Sequence, residues 1–463
     1  MEDAFIIDRD LITRYDKLGP RYTSYPTAMQ FHEGFRGEQY ADNARLSNED
    51  LIPAPLSLYF HLPFCRNVCY YCACNKIITN NQAHTTPYLE TLKKEIAMQG
   101  RLFDRDRLVK QLHWGGGTPT YFSHQQMQDL MREIDNHFRL QKDDAGDFSI
   151  EVDPREADAE TIAVLRGLGF NRISLGIQDF NPEVQKAVNR IQPLEQTAAI
   201  IDAVRQNEFK SLSVDLIYGL PLQSVSTFTE TLEKIITLDP DRISVFNYAH
   251  LPKRFKTQRN IKSEDLPPPD EKLSMLQQTI DSLTGAGYVF IGMDHFAKPE
   301  DELTRAMAND ELSRNFQGYT THGDCDLIGM GISSISKISD FYAQNVYTTD
   351  EYRELIDNDK FATFRGVKLD FDDRIRRDII MQLICNFKLS IAAVEDKYRM
   401  SFEDYFYNEM QLLRSMKDDG LLVSDFDHIT VTPMGRLLIR NICSVFDKYL
   451  RHESEVTRFS KVI

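Results

Sequence analysis

Residues 57–77 read SLYFHLPFCRNVCYYCACNKI, a short apolar run that breaks at Pro63 and leads into a cysteine-dense loop. The run Leu58–Leu62 reads as a short apolar strand. From this strand a βα rhythm extends along the chain. Further short apolar or β-branched runs lie at Gln111–Trp114, Phe148–Val152, Arg172–Ile177, Val214–Tyr218 and Ile243–Phe246. Helical patterns separate most of them, at Pro87–Met98, His124–Phe138, Glu160–Gly167, Leu194–Gln206 and Thr227–Leu238. Strands alternating with helices predict an α/β fold with a mostly parallel sheet. Six such units are too few to close an eight-stranded barrel. The expectation is a partial (open) TIM-like βα barrel, with a doubly wound open sheet as the alternative.

Four of the seven cysteines fall in CRNVCYYCAC. Cys65, Cys69 and Cys72 are spaced C-x3-C-x2-C, and Cys74 follows after one residue. Cys325, Cys385 and Cys443 are isolated. An odd count with tight clustering reads as metal binding rather than a disulfide framework. Soft thiolates suit the irons of an iron–sulfur cluster, and three of them leave one iron of a cubane open to a small ligand. Structural zinc and a redox disulfide are the alternatives. Zinc usually takes paired C-x2-C knuckles with a second pair far away, and no second pair follows here. Spacing alone leaves open which three of the four cysteines bind.

Ligands of parallel α/β folds bind at the carboxyl ends of the strands. Polar residues collect at those ends here. Trp114–Pro119 is a glycine-rich turn, whose backbone can approach a ligand closely or simply turn the chain. Glu151 suits a bidentate hydrogen bond to ribose hydroxyls, whereas Asp153 before Pro154 reads as a helix N-cap. Gln178 and Asp179 end the fourth strand, Asp215 lies in the fifth, and Asn247, Tyr248 and His250 follow the sixth. Singly, each suits a cap or a satisfied core polar group. Their common rim is the informative feature.

The formal charge of −16 argues against broad binding to nucleic acid or to an anionic membrane. No apolar run is long enough to insert into a membrane, and MEDAFIIDRDLITRYDKLGP lacks the apolar segment of a secretory signal. A cytoplasmic protein with reduced thiols is expected. Residues 1–50 read as an extension near the active site, 51–285 as the core partial barrel, 286–365 as its completion and connection, and 366–463 as a mainly α-helical domain. Lys262–Lys272 reads as a linker. Leu421–Ser424 and Ile429–Thr432 read as a hairpin, and helices followed by a hairpin resemble a winged helix.

C-x3-C-x2-C after the first strand of a βα series, with the aromatic Tyr71 before the third cysteine, resembles the radical S-adenosylmethionine superfamily. The likeness narrows with GPRYTSYPT (Gly19–Thr27), SLYFHLPFC, CYYCACNKI, LHWGGGTPTY, SIEVDPRE, GIQDFN, VNRIQ, DLIYGLP, SVFNYAHLP, IGMDHFA, RNFQGYTT, GMGISSIS and the terminal FSKVI. Together these resemble the oxygen-independent coproporphyrinogen III oxidase family over nearly the whole chain.

The resemblance implies conversion of two propionates of coproporphyrinogen III to vinyl groups, giving protoporphyrinogen IX. A 5′-deoxyadenosyl radical would take a β-hydrogen, after which carbon dioxide and one electron leave. It implies a 4Fe–4S cluster on Cys65, Cys69 and Cys72, with Cys74 required for catalysis but not ligating. It further implies two S-adenosylmethionine molecules. The first meets Tyr59 (also placed with the catalytic residues), Tyr71, Gly116, Glu151 and Ile335. The second meets Gly117, Thr118, Gln178, Arg190, Asp215 and Ala249. A monomer exchanging electrons with a separate donor and acceptor is expected.

The tetra-anionic substrate requires local cations in an acidic chain. Arg21 and the group Arg374, Arg376 and Arg377 are candidates, against the alternative of an ordinary solvated surface. Related haem-binding chaperones typically lack Cys74 and the GPRYTSYPT extension, both present here. A zinc-stabilised regulator and a haem-degrading radical methyltransferase are the other rivals.

Overall fold

The computed structural model describes residues 8–15, 19–142 and 144–451. The terminal FSKVI lies outside them. The chain divides into two compact units, residues 30–268 with 324–368, and residues 1–29 with 269–323 and 369–463. Residues 286–365, read from sequence as one connection, are shared between the two. The linker is shorter than expected, because a helix already starts at Pro269. Proline fits a first helical turn, where its missing N–H costs nothing.

The larger unit carries six βα strands in chain order: β1 (Leu56–Leu62), β2 (Leu108–Gly116), β3 (Asp147–Val152), β4 (Arg172–Gln178), β5 (Ser211–Tyr218) and β6 (Arg242–Asn247). A seventh, β7 (Asp326–Met330), pairs with β1, and β8 (Ile335–Ile338), β9 (Phe341–Asn345) and β10 (Thr363–Lys368) follow. The order is β6-β5-β4-β3-β2-β1-β7-β8-β9-β10. Pairing is parallel from β6 to β7 and antiparallel beyond. Within this unit β6 and β10 stand at opposite ends of the order and do not pair with each other, so the sheet is open, as the partial-barrel reading expects.

Each crossover helix presents an apolar stripe at i, i+3, i+4 or i+7 spacing. The helices are α1 (Thr85–Gly100), α2 (His124–His137), α3 (Ala159–Gly167), α4 (Leu194–Gln206) and α5 (Val225–Leu238). Leu89, Leu92 and Ile96 are buried on α1, and Phe228, Leu232 and Ile235 on α5. Ser123, Asp158 and Ser224 cap α2, α3 and α5 by accepting a backbone N–H of the first turn. The first 50 residues are less featureless than their sequence suggests. Gly37–Leu46 is a helix of this unit, with Tyr40, Ala41 and Ala44 buried. Two small alanines and one tyrosine make too weak a stripe to read from sequence.

Glu95 on α1 is fully buried and gathers the far side of this sheet. Its carboxylate accepts the Gly331 N–H at 2.7 Å, Asn345 Nδ2 at 2.8 Å and the Tyr352 hydroxyl at 2.6 Å. These bonds fix the turn between β7 and β8 that leads to Ile335. Burial nevertheless outweighs the donors and pushes the Glu95 carboxyl up to about 7.

In the smaller unit, the helix Phe371–Asn386 packs Ile379, Leu383 and Ile384 into a core with Phe402, Phe406 and Phe446. The expected hairpin is present as Leu422–Ser424 and His428–Val431, with Lys388–Ser390 added on the outer side of His428–Val431. Arg440 donates to the carbonyls of Gly19 and Pro20, and the Tyr22 hydroxyl donates to Asp447, so the GPRYTSYPT segment is tied into this core. Arg376 is spoken for. It is buried and donates to Asp372, Glu409 and the Phe446 carbonyl, which removes it from the candidate substrate cations. Arg21 pairs with Asp294 at 3.6 Å and Arg377 with Asp378 at 3.8 Å.

Replacing Arg376 by alanine removes a buried cation that Asp372 and Glu409 both pair with. The expected loss is about 3–5 kcal/mol of unfolding free energy, read as a lowered urea midpoint. A second expectation concerns pH. The Glu95 carboxyl binds its proton more tightly folded than unfolded, so stability falls as pH rises from about 4.5 to about 7. Glu95→Gln flattens that slope in urea titrations across the same range.

Candidate active site

The first strand exits into the cysteine loop through a short ladder. Phe64 and Cys65 pair in parallel with Ile77 and Ile78, which closes the residues between them into a compact excursion. The loop is fastened at its middle. Tyr70 N–H donates to the Val188 carbonyl at 3.0 Å, Asn189 Nδ2 to the Val68 carbonyl at 2.7 Å, and Gln258 Nε2 to the Tyr71 carbonyl at 3.0 Å. Tyr71 packs against Val184, Val188, Leu220, Tyr248 and Ile261. All seven cysteines are free thiols.

Donors converge on the sulfurs. Thr118 Oγ1 donates to Cys65 Sγ at 3.4 Å, Arg155 Nη2 to Cys69 Sγ at 3.5 Å and Arg190 Nη1 to Cys69 Sγ at 3.6 Å. Cys72 is held below the usual thiol range, chiefly by a hydrogen bond from Cys74 and by the Lys76 charge. Burial pushes the Cys65 thiol up to about 11. Deprotonated sulfur is the ligating form, and hydrogen bonds to it stabilise that form. The fourth thiol, Cys74, is exposed, and its proton is held more tightly by the neighbouring Cys72.

The glycine-rich turn runs beside this loop. Gly117 N–H donates to the Leu62 carbonyl at 2.9 Å and Thr118 N–H to the Phe64 carbonyl at 2.8 Å. At Gly117 a Cβ would stand 2.5 Å from the Pro63 carbonyl carbon, so only glycine fits. Gly116 has φ +108°, and its N–H donates to Glu151 Oε2 at 3.0 Å. Burial would raise the Glu151 carboxyl, but His113 and the Gly116 N–H hold it below its ordinary value. His113 contacts Ser149 through Nδ1 at 2.6 Å and Glu151 through Nε2 at 3.3 Å, and the Tyr59 ring stacks on it at 5.8 Å.

Across β4 and β5 lie the remaining residues. Gln178 has φ +71° at a bulge in the β4–β5 pairing. Such a bulge turns a side chain out of the strand alternation. A Cβ on Gly176 would stand 2.9 Å from Gln178 Nε2 and 3.2 Å from Arg190 Nη2, so this glycine makes room for both. Asp215 accepts from Ser174 Oγ at 3.1 Å, and burial followed by the Glu151 charge pushes its carboxyl up to about 6. Ala249 follows β6, between Tyr248 and His250, whose side chains meet at 2.9 Å. Ile335 opens β8, with its carbonyl 2.6 Å from where a Gly329 Cβ would be.

All the residues read as cluster or cofactor contacts therefore belong to one unit; Tyr59 and Asp215 lie within β1 and β5, and the others sit near, at or beyond strand ends. Asp153 does cap the turn Pro154–Glu156, as expected, but it also pairs with Arg155 at 2.7 Å and Arg190 at 2.9 Å. His113 and Arg155 stood in quoted motifs and went unassigned. Their partners are distant in sequence, and no local spacing announces them.

Residues 59–235 match the model of the radical SAM superfamily, and residues 369–438 that of the HemN C-terminal domain. A curated relative from Pseudomonas aeruginosa, named oxygen-independent coproporphyrinogen III oxidase, is 51% identical over 463 residues, covering 100% of both chains. The relative of the same name from Escherichia coli K12 is 50% identical over 98% of both chains. The chain belongs to the oxygen-independent coproporphyrinogen III oxidase family. Its fold is that of the solved Escherichia coli coproporphyrinogen III oxidase, described as a radical SAM enzyme. The TM-score is 0.91 at 48% identity, over 96% of this chain and 100% of that one.

The residues fit what this oxidase family holds. Three closely spaced thiols with N–H and O–H donors on two of their sulfurs form a donor set for an iron–sulfur cluster. Beside them, the bare backbone of the glycine turn forms a cradle packed on Leu62–Phe64, with no room for a Cβ at Gly117. Gly117→Ala is expected to displace the Pro63 backbone and with it the cysteine loop, so that anaerobic reconstitution loads less iron per chain than in the wild type, measured by iron and sulfide analysis.

Proposed function

We propose that this chain carries out its family's reaction with its residues in the roles below. The reaction is the oxidative decarboxylation of two propionate side chains of coproporphyrinogen III to vinyl groups, giving protoporphyrinogen IX in haem biosynthesis. The cluster and S-adenosylmethionine, when bound, supply hydrogen-atom abstraction at a propionate β-carbon. Loss of carbon dioxide and one electron then completes each vinyl group.

Cys65, Cys69 and Cys72 hold the cluster, and the ladder between Phe64–Cys65 and Ile77–Ile78 fixes their loop. Cys74 stays a thiol beside Cys72 and serves turnover rather than ligation. Tyr59, Tyr71, Gly116, Glu151 and Ile335 bind the S-adenosylmethionine on the cluster. Glu151 is held toward the carboxylate form by His113 and the Gly116 N–H, the form that accepts from ribose hydroxyls. Its tyrosine neighbour, Tyr59, is packed on His113, so the two move as one wall. Gly117, Thr118, Gln178, Arg190, Asp215 and Ala249 bind a second S-adenosylmethionine, with Arg190 offering a fixed guanidinium to a carboxylate. The chain works as a cytoplasmic monomer and exchanges electrons with a separate donor and acceptor. No helix among the described residues is long and apolar enough to cross a membrane.

The observation that carries this reading is the convergence of Thr118, Arg155 and Arg190 on the sulfurs of a C-x3-C-x2-C loop. Ordinary buried thiols attract no such set. Anaerobic reconstitution of Cys65→Ala, Cys69→Ala and Cys72→Ala is expected to yield no 4Fe–4S absorption. Cys74→Ala retains the cluster and gives no vinyl product by mass spectrometry with substrate, reductant and S-adenosylmethionine. Iron loss in Cys74→Ala, with one of the other three dispensable, would overturn the ligand assignment.

A further inference from the structure

Arg155 is a half-buried cation that the roles above leave without a task. Its side chain is 13% exposed, and that of Asp153 is 10% exposed. A guanidinium so placed must satisfy its N–H groups within the protein. Arg155 Nε and Nη2 grip both oxygens of Asp153, at 3.0 and 2.7 Å, in a fork that fixes the guanidinium plane. From that plane Nη2 also reaches Cys69 Sγ at 3.5 Å. Arg190 approaches the same sulfur at 3.6 Å and the same carboxylate at 2.9 Å, and its other end donates to the Gly176 carbonyl. Two guanidinium groups and one carboxylate thus meet at one cysteine sulfur. The trio leaves a surplus of one positive charge on its far side, in a setting with little water to screen it.

We infer that Arg155 sets the reduction potential of the cluster through the Cys69 sulfur, with Asp153 as the counterweight that limits its effect. The inference rests on Cys65, Cys69 and Cys72 being the ligands. Reduction adds one electron to the cluster and makes its sulfurs more negative. A cation and an N–H donor at one of those sulfurs favour the reduced form and raise the potential. Asp153 holds Arg155 in place but cancels part of its field. Arg155 is a positioning residue in this scheme, since it acts on the cluster only through Cys69. Thr118 on Cys65 is a neutral donor and exerts the weaker version of the same effect.

The two members of the pair make opposite predictions, which a merely structural role does not. Full-length wild type, Arg155→Gln and Asp153→Asn are reconstituted anaerobically. Iron and sulfide are then counted, and the midpoint potential is read by electron paramagnetic resonance during redox titration without S-adenosylmethionine. Arg155→Gln is expected to lower the one-electron reduction constant about tenfold, a shift of about −59 mV. Asp153→Asn keeps a competent helix cap and is expected to shift the potential the other way. An Arg155→Gln potential within threefold of wild type at full iron content overturns the inference. So does a shift of both variants in the same direction. If Arg155→Gln fails to take up the cluster, Asp153→Asn alone decides, and an unchanged or lowered potential there overturns it. A wild-type protein without any cluster would instead refute the ligand assignment beneath it.

Discussion

The backbone of Leu62–Cys65 is asked to serve two neighbours at once, and the site follows from how it does so. On one side the Leu62 and Phe64 carbonyls accept the N–H groups of Gly117 and Thr118. On the other, the Pro63 carbonyl accepts Ile77 N–H at 2.8 Å and the Cys65 carbonyl accepts Thr79 N–H at 3.0 Å. All four carbonyls of Leu62–Cys65 at the exit of β1 are therefore committed, as buried main chain must be. The cysteine loop and the glycine turn are locked to the same four residues. This sharing explains why Gly117 has no room for a Cβ, and why His61 fills the space a Cβ on Gly116 would need. The cradle and the thiols cannot move independently.

What the sequence made legible follows the range over which its signals act. The six βα strands and their helices were readable because short apolar or β-branched runs recur between helical patterns, and caps such as Ser123 and Ser224 lie beside the helices they start. The cysteine loop was readable because its ligands are neighbours. β7 was not anticipated, although Asp326–Met330 is wholly buried, because its partner β1 lies some 270 residues earlier and no crossover helix of the series introduces it. Arg376 illustrates the converse error. In sequence it stands in a basic group suited to a polyanion, and only the fold reveals Glu409 and Phe446 as its partners. Family resemblance supplied the assignment of individual cofactor contacts, which spacing alone had left open.

The overall charge of −16 and the cationic surroundings of Cys69 are compatible because they act over different distances. Exposed charges are screened within about 10 Å at moderate salt. The guanidinium groups near Cys69 are buried and touch the sulfur directly, so their field is felt where the surface charge is not. Asp153 illustrates the same locality. Burial would raise its carboxyl, yet Arg190 and Arg155 hold it at about 2. An acidic protein can thus maintain one strongly electropositive microenvironment without altering its bulk character.

Strain at the end of β4 ties the second half of the rim to the first. A non-glycine residue with positive φ costs on the order of 1 kcal/mol, and Gln178 adopts it at a bulge rather than in a free turn. The conformation persists because Gly176, two residues earlier, offers its bare face to the Gln178 amide and its carbonyl to Arg190. Arg190 in turn reaches Asp153 and Cys69. Any relaxation of the bulge would therefore loosen the arginine, and through it the loop that carries the thiols. The β4 bulge and the cysteine loop, more than a hundred residues apart in sequence, are one mechanical assembly.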